Sequence, residues 1–298
     1  MADRSEIDTG TGELLAEIRD RVAILTLNRP EARNALSDHL TPALRRMINH
    51  FGDDAGVGVI LITGAGTAFC AGGDVKGMGQ STKAEMTFEQ RVDDLRVKQR
   101  TLTGALVAVR KPTVAAIPGP AAGAGLALAL ACDIRIAAQS AILTTGYARI
   151  GLSGDYGIAW LLTRLAGFSR ARELMFLSER VDAQRAEALG LVNHVVPDAE
   201  LRQAAFALAA SLAEGPAIAF GHMKDNLDHA MMSGFLDSLD FEAANMVRTA
   251  RTLDHKEAVR AFVEKRKAAF AGRGRPAIPR ARNMTQSDKS SGLPSYGE

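Results

Sequence analysis

Two glycine-rich turns contain the residues of this chain whose types and spacing could do chemistry. The first is Ala-Phe-Cys-Ala-Gly-Gly-Asp-Val at residues 68–75, and the second is Pro-Gly-Pro-Ala-Ala-Gly-Ala-Gly at residues 118–125. Glycine lets a ligand approach the main chain closely, and amide N–H groups at a helix start lack partners within that helix. Two such turns could each present one backbone N–H to the same oxygen atom. The pattern therefore favours a site that stabilises negative charge on a carbonyl oxygen.

Each glycine turn follows a predicted buried strand and precedes a predicted helix start. Residues 57–63 form an apolar, β-branched run before the first turn, and residues 113–117 form a similar run before the second. Such runs, bounded by glycine and proline, are typical of buried strands. After the second turn, residues 126–131 are apolar throughout and predict a buried helix. The two turns are therefore expected at the ends of two strands of one α/β core.

The remaining sequence extends this α/β pattern and then becomes helical. Ser37 is the predicted N-cap of a helix whose apolar residues recur at helical spacing. We expect residues 13–200 to form the core, residues 201–270 a C-terminal helical region, and residues 1–12 and 271–298 polar tails without packed structure. Other strands are predicted over residues 14–19, 22–27, 133–138 and 192–196, and other helices over residues 156–166, 170–177 and 183–189.

Composition excludes several classes of protein. With 298 residues, 47% of them apolar, and a net charge of +2, the chain has the composition of a globular protein without an electrostatic case for binding nucleic acid or a membrane surface. Residues 112–132 carry no charge, but prolines and glycines interrupt them, so no membrane span is expected. Only two cysteines and no apolar leader indicate a reduced, cytoplasmic location. The histidine spacing matches no zinc motif, so no metal site is expected.

Five short motifs give the chain a resemblance to a known family. In their order and spacing, the sequence resembles the enoyl-CoA hydratase/isomerase (crotonase) superfamily from about residue 13 to residue 270. The resemblance implies an α/β crotonase-like spiral of ββα units with a C-terminal helical trimerisation region, and a homotrimer or hexamer. The motifs are Asn28-Arg29-Pro30, Asn34-Ala35-Leu36, Phe69-Cys70-Ala71-Gly72-Gly73-Asp74, the turn at residues 119–125, and Ala131-Cys132-Asp133-Ile134.

The resemblance also assigns binding roles. It implies an acyl-CoA substrate, with coenzyme A as part of that substrate and no separate cofactor. The backbone amides of Ala71 and Ala124 would form the oxyanion hole for the thioester carbonyl. Phe262 and Lys265 would cover the nucleotide, although their spacing also fits a solvated amphipathic helix. The other positions matched to coenzyme A contacts are Arg29, Arg33, Ala35, Gly72, Gly73, Asp74 and Val75.

The catalytic side chains differ from the family pattern. A typical hydratase of the family uses two glutamates, and the matching positions here are Ala127 and Tyr147. Asp155 is the candidate replacement, but an aspartate before an apolar helix is equally typical of an N-cap. Tyr147 could donate a hydrogen bond or fill the space of the missing glutamate.

Three functions therefore remain open at the level of sequence. The first is an enoyl-CoA hydratase/isomerase-like enzyme that stabilises a thioester enolate. The second is other chemistry of the superfamily, namely thioester hydrolysis, isomerisation or C–C bond cleavage, with Asp155 as the base. The third is a non-catalytic CoA-binding oligomer, which the loss of both glutamates suggests.

Overall fold

The computed structural model describes residues 4–73 and 86–272. Its ten strands are β1 (Arg4–Ile7), β2 (Leu14–Arg19), β3 (Val22–Leu27), β4 (Val59–Gly64), β5 (Thr113–Ile117), β6 (Ala121–Ala122), β7 (Ile134–Ala138), β8 (Ile142–Thr144), β9 (Val181–Asp182) and β10 (His194–Val196). Seven of these described strands form one sheet in the order β1-β2-β3-β4-β5-β7-β10. The other three form a small sheet in the order β6-β8-β9.

The described α-helices follow the strands and then dominate the C-terminal third. They are α1 (Leu40–Asp53), α2 (Phe88–Gln99), α3 (Ala105–Ala108), α4 (Ala124–Leu130), α5 (Ile158–Ala166), α6 (Phe168–Leu177), α7 (Ala183–Ala188), α8 (Leu201–Ala213), α9 (Ala217–Ala230), α10 (Phe235–Ala250) and α11 (Leu253–Val263). A π-helical segment, Arg100–Gly104, joins α2 to α3, and a short 3-10 helix, Tyr147–Ile150, precedes α5.

The large sheet changes from antiparallel to parallel along its width. β1, β2 and β3 pair antiparallel, whereas β3, β4, β5, β7 and β10 pair parallel. Parallel neighbours direct their carboxyl ends to the same edge of a sheet. The turns after β4 and β5 therefore begin side by side, as the two predicted strand–turn–helix units require.

The N-terminal segment differs from its sequence prediction. Residues 1–12 were expected to lack packed structure, but Arg4–Ile7 forms an edge strand that pairs antiparallel with β2. Main-chain hydrogen bonds to β2 hold this segment, and Ile7 packs against the main apolar core. Its polar side chains concealed this contact. The rest of the predicted C-terminal tail, residues 273–298, lies outside the described residues.

Two apolar layers cover the sheet. The larger layer includes the buried face of α1 and all of α4, whose seven residues are buried. The smaller layer packs α8 on the opposite face through residues such as Leu201 and Ala209. Because α4 begins directly after the second glycine turn, burial of this helix fixes that turn in the core.

The last three described helices expose much of their apolar surface. Within residues 4–73 and 86–272, no single helix is long and apolar enough to cross a membrane. One pair of segments, residues 198–213 and 217–230, reaches that length and composition only when its two parts are taken together, and a 100° bend separates them. The exposed large side chains of these helices include Met223, Leu227, Phe235, Leu236, Met246, Val247, Phe262 and Val263.

Candidate active site

The two glycine turns lie against each other and share main-chain hydrogen bonds. The N–H groups of Phe69 and Cys70 both donate to the carbonyl oxygen of Pro120, at 3.0 and 3.2 Å. In return, the N–H of Ala122 donates to the carbonyl oxygen of Cys70 at 2.9 Å. Three main-chain hydrogen bonds thus join the two turns directly, so the turns form one unit.

Two glycines make this close approach possible. A Cβ placed on Gly119 would lie 1.9 Å from the carbonyl oxygen of Thr67, and one placed on Gly125 would lie 2.4 Å from the carbonyl oxygen of Cys70. Both distances are far inside van der Waals contact, so any larger residue would push the turns apart. The glycines of these turns were predicted to let a ligand approach the main chain. Gly119 and Gly125 also let the main chain of the other turn approach closely.

The structure corrects the first predicted oxyanion donor. The N–H of Ala71 donates to the carbonyl oxygen of Arg33 at 2.9 Å, so it is occupied within the fold. The carbonyl of the next residue, Gly72, accepts from the N–H of Leu36. The N–H of Gly73, two residues after Ala71, has no acceptor among the described residues. The peptide groups alternate in direction here, and that alternation moves the available donor from Ala71 to Gly73.

The amide of Ala124 is also available as a donor. It is the first residue of α4, and the first hydrogen bond within this helix runs from the N–H of Ala127 to the carbonyl of Gly123. The Ala124 N–H therefore belongs to the first-turn amides that lack a partner in the helix. A Cβ placed on Gly72 would lie 3.7 Å from the Ala124 nitrogen, so the two turns meet at this amide.

Tyr147 and Asp155 form a hydrogen-bonded pair beside the second turn. The Tyr147 hydroxyl donates to Asp155 Oδ1 at 2.6 Å. A Cβ on Gly123 would lie 3.8 Å from that hydroxyl oxygen, which places the pair directly next to the residue before Ala124. Tyr147 is only 5% exposed, and Ala127, at the other glutamate position, is fully buried in the apolar core.

The N-cap interpretation of Asp155 is not supported by the helix geometry. Helix α5 begins at Ile158 with Gly157 as its N-cap, and no side-chain hydrogen bond caps it. Asp155 instead contributes its main-chain carbonyl to the N–H of Ile158, at 3.1 Å, and turns its carboxyl group to Tyr147. The carboxyl group therefore belongs to the site.

Burial sets the protonation behaviour of this pair. Burial raises the pKa of the Asp155 carboxyl group, and the hydrogen bond from Tyr147 opposes that rise. Burial also raises the pKa of Tyr147, and the neighbouring Asp155 charge raises it further. Tyr147 therefore stays a protonated donor, and the Asp155 carboxyl group is its acceptor.

The residues matched to coenzyme A contacts lie in different environments. Arg29 Nη1 donates to the carbonyl of Ala35 at 2.8 Å, and Arg29 Nε lies 3.5 Å from Glu13 Oε2, so this guanidinium holds the loop between β3 and α1. Arg33 is exposed in a left-handed conformation with φ 50°. Gly72 and Gly73 lie in the first turn, whereas Asp74 and Val75 fall outside the described residues.

Phe262 and Lys265 lie at the end of α11. Phe262 is 86% exposed, and Lys265 adopts φ 53° in the turn that follows the helix. The next two residues, Arg266 and Lys267, pair with Glu257 and Glu214. These contacts anchor the segment to α11 and the end of α8.

Asn34 is a structural residue of the site whose role the sequence did not reveal. Its Oδ1 accepts from the N–H of Arg29 at 2.8 Å, and its Nδ2 donates to the carbonyls of Ala65 and Ala68 at 3.0 and 2.8 Å. Its backbone is left-handed, with φ 57°, a conformation that asparagine tolerates better than most residues. This combination ties the loop after β3 to the first glycine turn. The only signal was the position of Asn34 in a family motif.

Cysteine and histidine supply no further chemistry in the described part of the chain. Cys70 and Cys132 are buried, and burial raises the pKa of each thiol to about 12. Over residues 4–73 and 86–272, no group of three or more histidine, cysteine, aspartate or glutamate side chains is arranged to hold a metal ion.

Comparison with known proteins identifies consistent relatives. A model of the enoyl-CoA hydratase/isomerase family matches residues 17–273. A probable enoyl-CoA hydratase of Rhodobacter capsulatus is 36% identical over 257 residues, which cover 86% of this chain and 97% of that protein. The 1,2-epoxyphenylacetyl-CoA isomerase of Escherichia coli is 35% identical over 265 residues, which cover 87% and 98%. The crystal structure of an enoyl-CoA hydratase from Polaromonas superposes with a TM-score of 0.81 at 31% identity, covering 87% of this chain and all of that one.

Proposed function

Because the chain belongs to the enoyl-CoA hydratase/isomerase family, we propose that it forms the enolate of an acyl-CoA thioester in an oxyanion hole made by Gly73 and Ala124. Asp155 is the acid–base group of this reaction, and Tyr147 orients it. The observation that carries the proposal is the 2.6 Å hydrogen bond from Tyr147 to Asp155 beside the turn that frees the Ala124 amide. One proton-transfer group thus lies next to one oxyanion donor.

The main-chain donors supply the electrostatic part of the reaction. When a proton leaves the carbon next to a thioester, negative charge develops on the thioester oxygen. Two N–H groups that already point at that oxygen stabilise the charge without reorganising, and each such donor is worth about 3–4 kcal/mol in a site that excludes water. Both donors are amides of the main chain, so they persist whatever side chains the site carries.

The side chains favour isomerisation over hydration. Hydration by the family pattern needs two carboxylates, and one of those positions is the buried Ala127. A shift of a double bond needs only one group that removes a proton at one carbon and returns it at another, and Asp155 suffices for that. The relative from Escherichia coli is itself named an isomerase.

We also propose that a homotrimer, or a dimer of trimers, completes the site. The exposed apolar side chains of α9, α10 and α11 offer a surface for a second copy. In such an assembly, Phe262 and Lys265 of one copy would reach the coenzyme A of its neighbour, and Arg33 would meet the same ligand from within the chain. No separate cofactor is required, because coenzyme A arrives with the substrate.

Exchange of α-protons tests the oxyanion hole without knowledge of the acyl group. Butyryl-CoA incubated with the enzyme in D₂O should lose its α-proton NMR signals. Ala124→Pro removes the N–H, and proline is tolerated at the first position of a helix. We expect this variant to slow exchange by about 100- to 1,000-fold. Ala124→Gly, which retains the N–H, is the matched control.

A second assay separates the reaction classes. We expect conversion of a 3-enoyl-CoA to a 2-enoyl-CoA, and slow or no hydration of crotonyl-CoA. Fast hydration that survives Asp155→Asn would reject the assignment of Asp155. Binding of butyryl-CoA without exchange or turnover would leave the non-catalytic CoA-binding oligomer as the function.

A further inference from the structure

The segment that contains Asp155 has an unusual main-chain conformation. Gly154 and Gly157 adopt φ 108° and φ 80°, and between them Tyr156 adopts φ 51°. A bulky residue in this left-handed region costs on the order of 1–3 kcal/mol and persists only where the surroundings determine it. Asp155 immediately precedes this strained residue, so whatever holds Tyr156 also sets the direction of the Asp155 side chain.

Gln99 supplies the contact that holds the Tyr156 backbone. The N–H of Tyr156 donates to Gln99 Oε1 at 2.8 Å. Gln99 is the last residue of α2, and the π-helical segment Arg100–Gly104 follows it directly. Such segments change the faces that successive residues present, and they occur frequently at functional sites. Here the Gln99 amide lies against Tyr156 at the start of the segment, while Leu102 within it is fully buried.

The Tyr156 ring is fixed on its other side. It is 9% exposed, and its hydroxyl group interacts with the guanidinium of Arg45 on α1. Asp155 is therefore held at two points. Its carboxyl group accepts from Tyr147, and the main chain one residue later is bound by Gln99.

We propose that Gln99 is a positioning residue that acts through the Tyr156 main chain to hold the Asp155 carboxyl group against Tyr147. The inference rests on the proposed function, in which Asp155 transfers a proton. Gln99 lies far from Asp155 in sequence, and it needs no contact with substrate to serve this role. Its side-chain oxygen is the essential atom, because that oxygen accepts the hydrogen bond.

Two variants of Gln99 isolate that oxygen. Gln99→Met keeps the length of the side chain but removes the acceptor, whereas Gln99→Glu keeps an acceptor oxygen. With butyryl-CoA in D₂O, we expect Gln99→Met to lower the maximal rate of α-proton exchange by about tenfold with an unchanged KM, which corresponds to about 1.4 kcal/mol. Gln99→Glu should recover most of that rate. A merely structural role would instead lower thermal stability and leave the maximal rate per folded molecule unchanged.

A measurement without substrate makes the inference independent of turnover. Peptide-level hydrogen–deuterium exchange over residues 151–157 should be slow in the wild type and in Gln99→Glu, and faster in Gln99→Met. Equal exchange in all three proteins would overturn the role of Gln99, even if the enzyme is active. Faster exchange in Gln99→Met together with a wild-type enzyme that exchanges no α-protons would reject the proposed function and retain Gln99 as the residue that holds this segment.

Discussion

The main-chain half of the site and its side-chain half follow different rules. The glycine turns that present Gly73 and Ala124 are fixed by backbone packing, with gaps that exclude even a Cβ at Gly119 and Gly125. The side-chain half depends on a single 2.6 Å contact between Tyr147 and Asp155. The first half resists substitution, whereas the second changes its chemistry when one residue is replaced.

This difference explains how the chain can lack both usual glutamates and keep the fold of its family. The crotonase fold and the family predicted from the sequence are confirmed. An amide donor depends on the path of the main chain and is indifferent to the side chain it carries. Ala127 and Tyr147 can therefore occupy these positions without disturbing the proposed oxyanion donors.

The largest expected effect is on the main-chain half. Gly119→Ala would place a methyl group 1.9 Å from the Thr67 carbonyl oxygen, so the two turns would have to separate. We expect a loss of more than about 4 kcal/mol in the free energy of unfolding, or failure to fold, measured by urea denaturation. The matched control is Gly12→Ala, since a Cβ on Gly12 meets nothing within 4 Å. Equal stability of the two variants would refute the tight junction between the turns.

The next effect separates activity from stability. Asp155→Asn should slow α-proton exchange by about 1,000-fold, or about 4 kcal/mol in activation free energy, because it removes the proton acceptor. Burial raises the pKa of Asp155 above its ordinary value, so stability is lost as the pH rises from that ordinary value through the raised pKa. At pH 7 the variant should therefore melt at an equal or higher temperature. Asp20→Asn, at an exposed carboxylate in the turn between β2 and β3, is the control for both measurements.

Asn34→Ala tests the connection between the β3 loop and the first turn. The substitution removes three hydrogen bonds and leaves the carbonyls of Ala65 and Ala68 without this donor. Since each bond is worth about 1 kcal/mol and unpaired buried groups cost more, we expect a loss of about 3 kcal/mol in the free energy of unfolding. Asn28→Ala, which removes one exposed hydrogen bond to Gly12, should cost less than about 1 kcal/mol.

The sequence predicted the main-chain half because its determinants are local. Apolar β-branched runs end at glycines, and parallel strands bring those ends to one edge of the sheet. Which amide points outward was not predictable, because the orientation of the peptide at Ala71 depends on the Arg33 carbonyl, which lies on a separate loop. The prediction named Ala71 for that reason, and the available donor is at Gly73.

The side-chain half was predicted in its members but not in their contact. Tyr147 and Asp155 were identified from their positions. Whether Tyr147 donates a hydrogen bond or only fills space, and whether Asp155 is a base or an N-cap, depends on the path of the chain through Gly151 and Gly154 between them. The N-cap alternative failed because the glycine-rich segment delays the start of α5 to Ile158. Gln99 carried no signal, since its partner is a backbone N–H distant in sequence.

The smallest expected effect tests only the hydrogen bond between Tyr147 and Asp155. Tyr147→Phe keeps the ring and removes the hydrogen bond that lowers the pKa of Asp155, so that pKa should rise further. Because the reaction needs the carboxylate, the acidic limb of the pH–rate profile should move to higher pH, and the rate at a pH on that limb should fall by about tenfold. Ser153→Ala, an exposed change in the same segment, should leave the limb in place. A limb that moved to lower pH would mean that Tyr147 does not donate to the ionised carboxyl group, and the contact that carries the side-chain half would have to be reassigned.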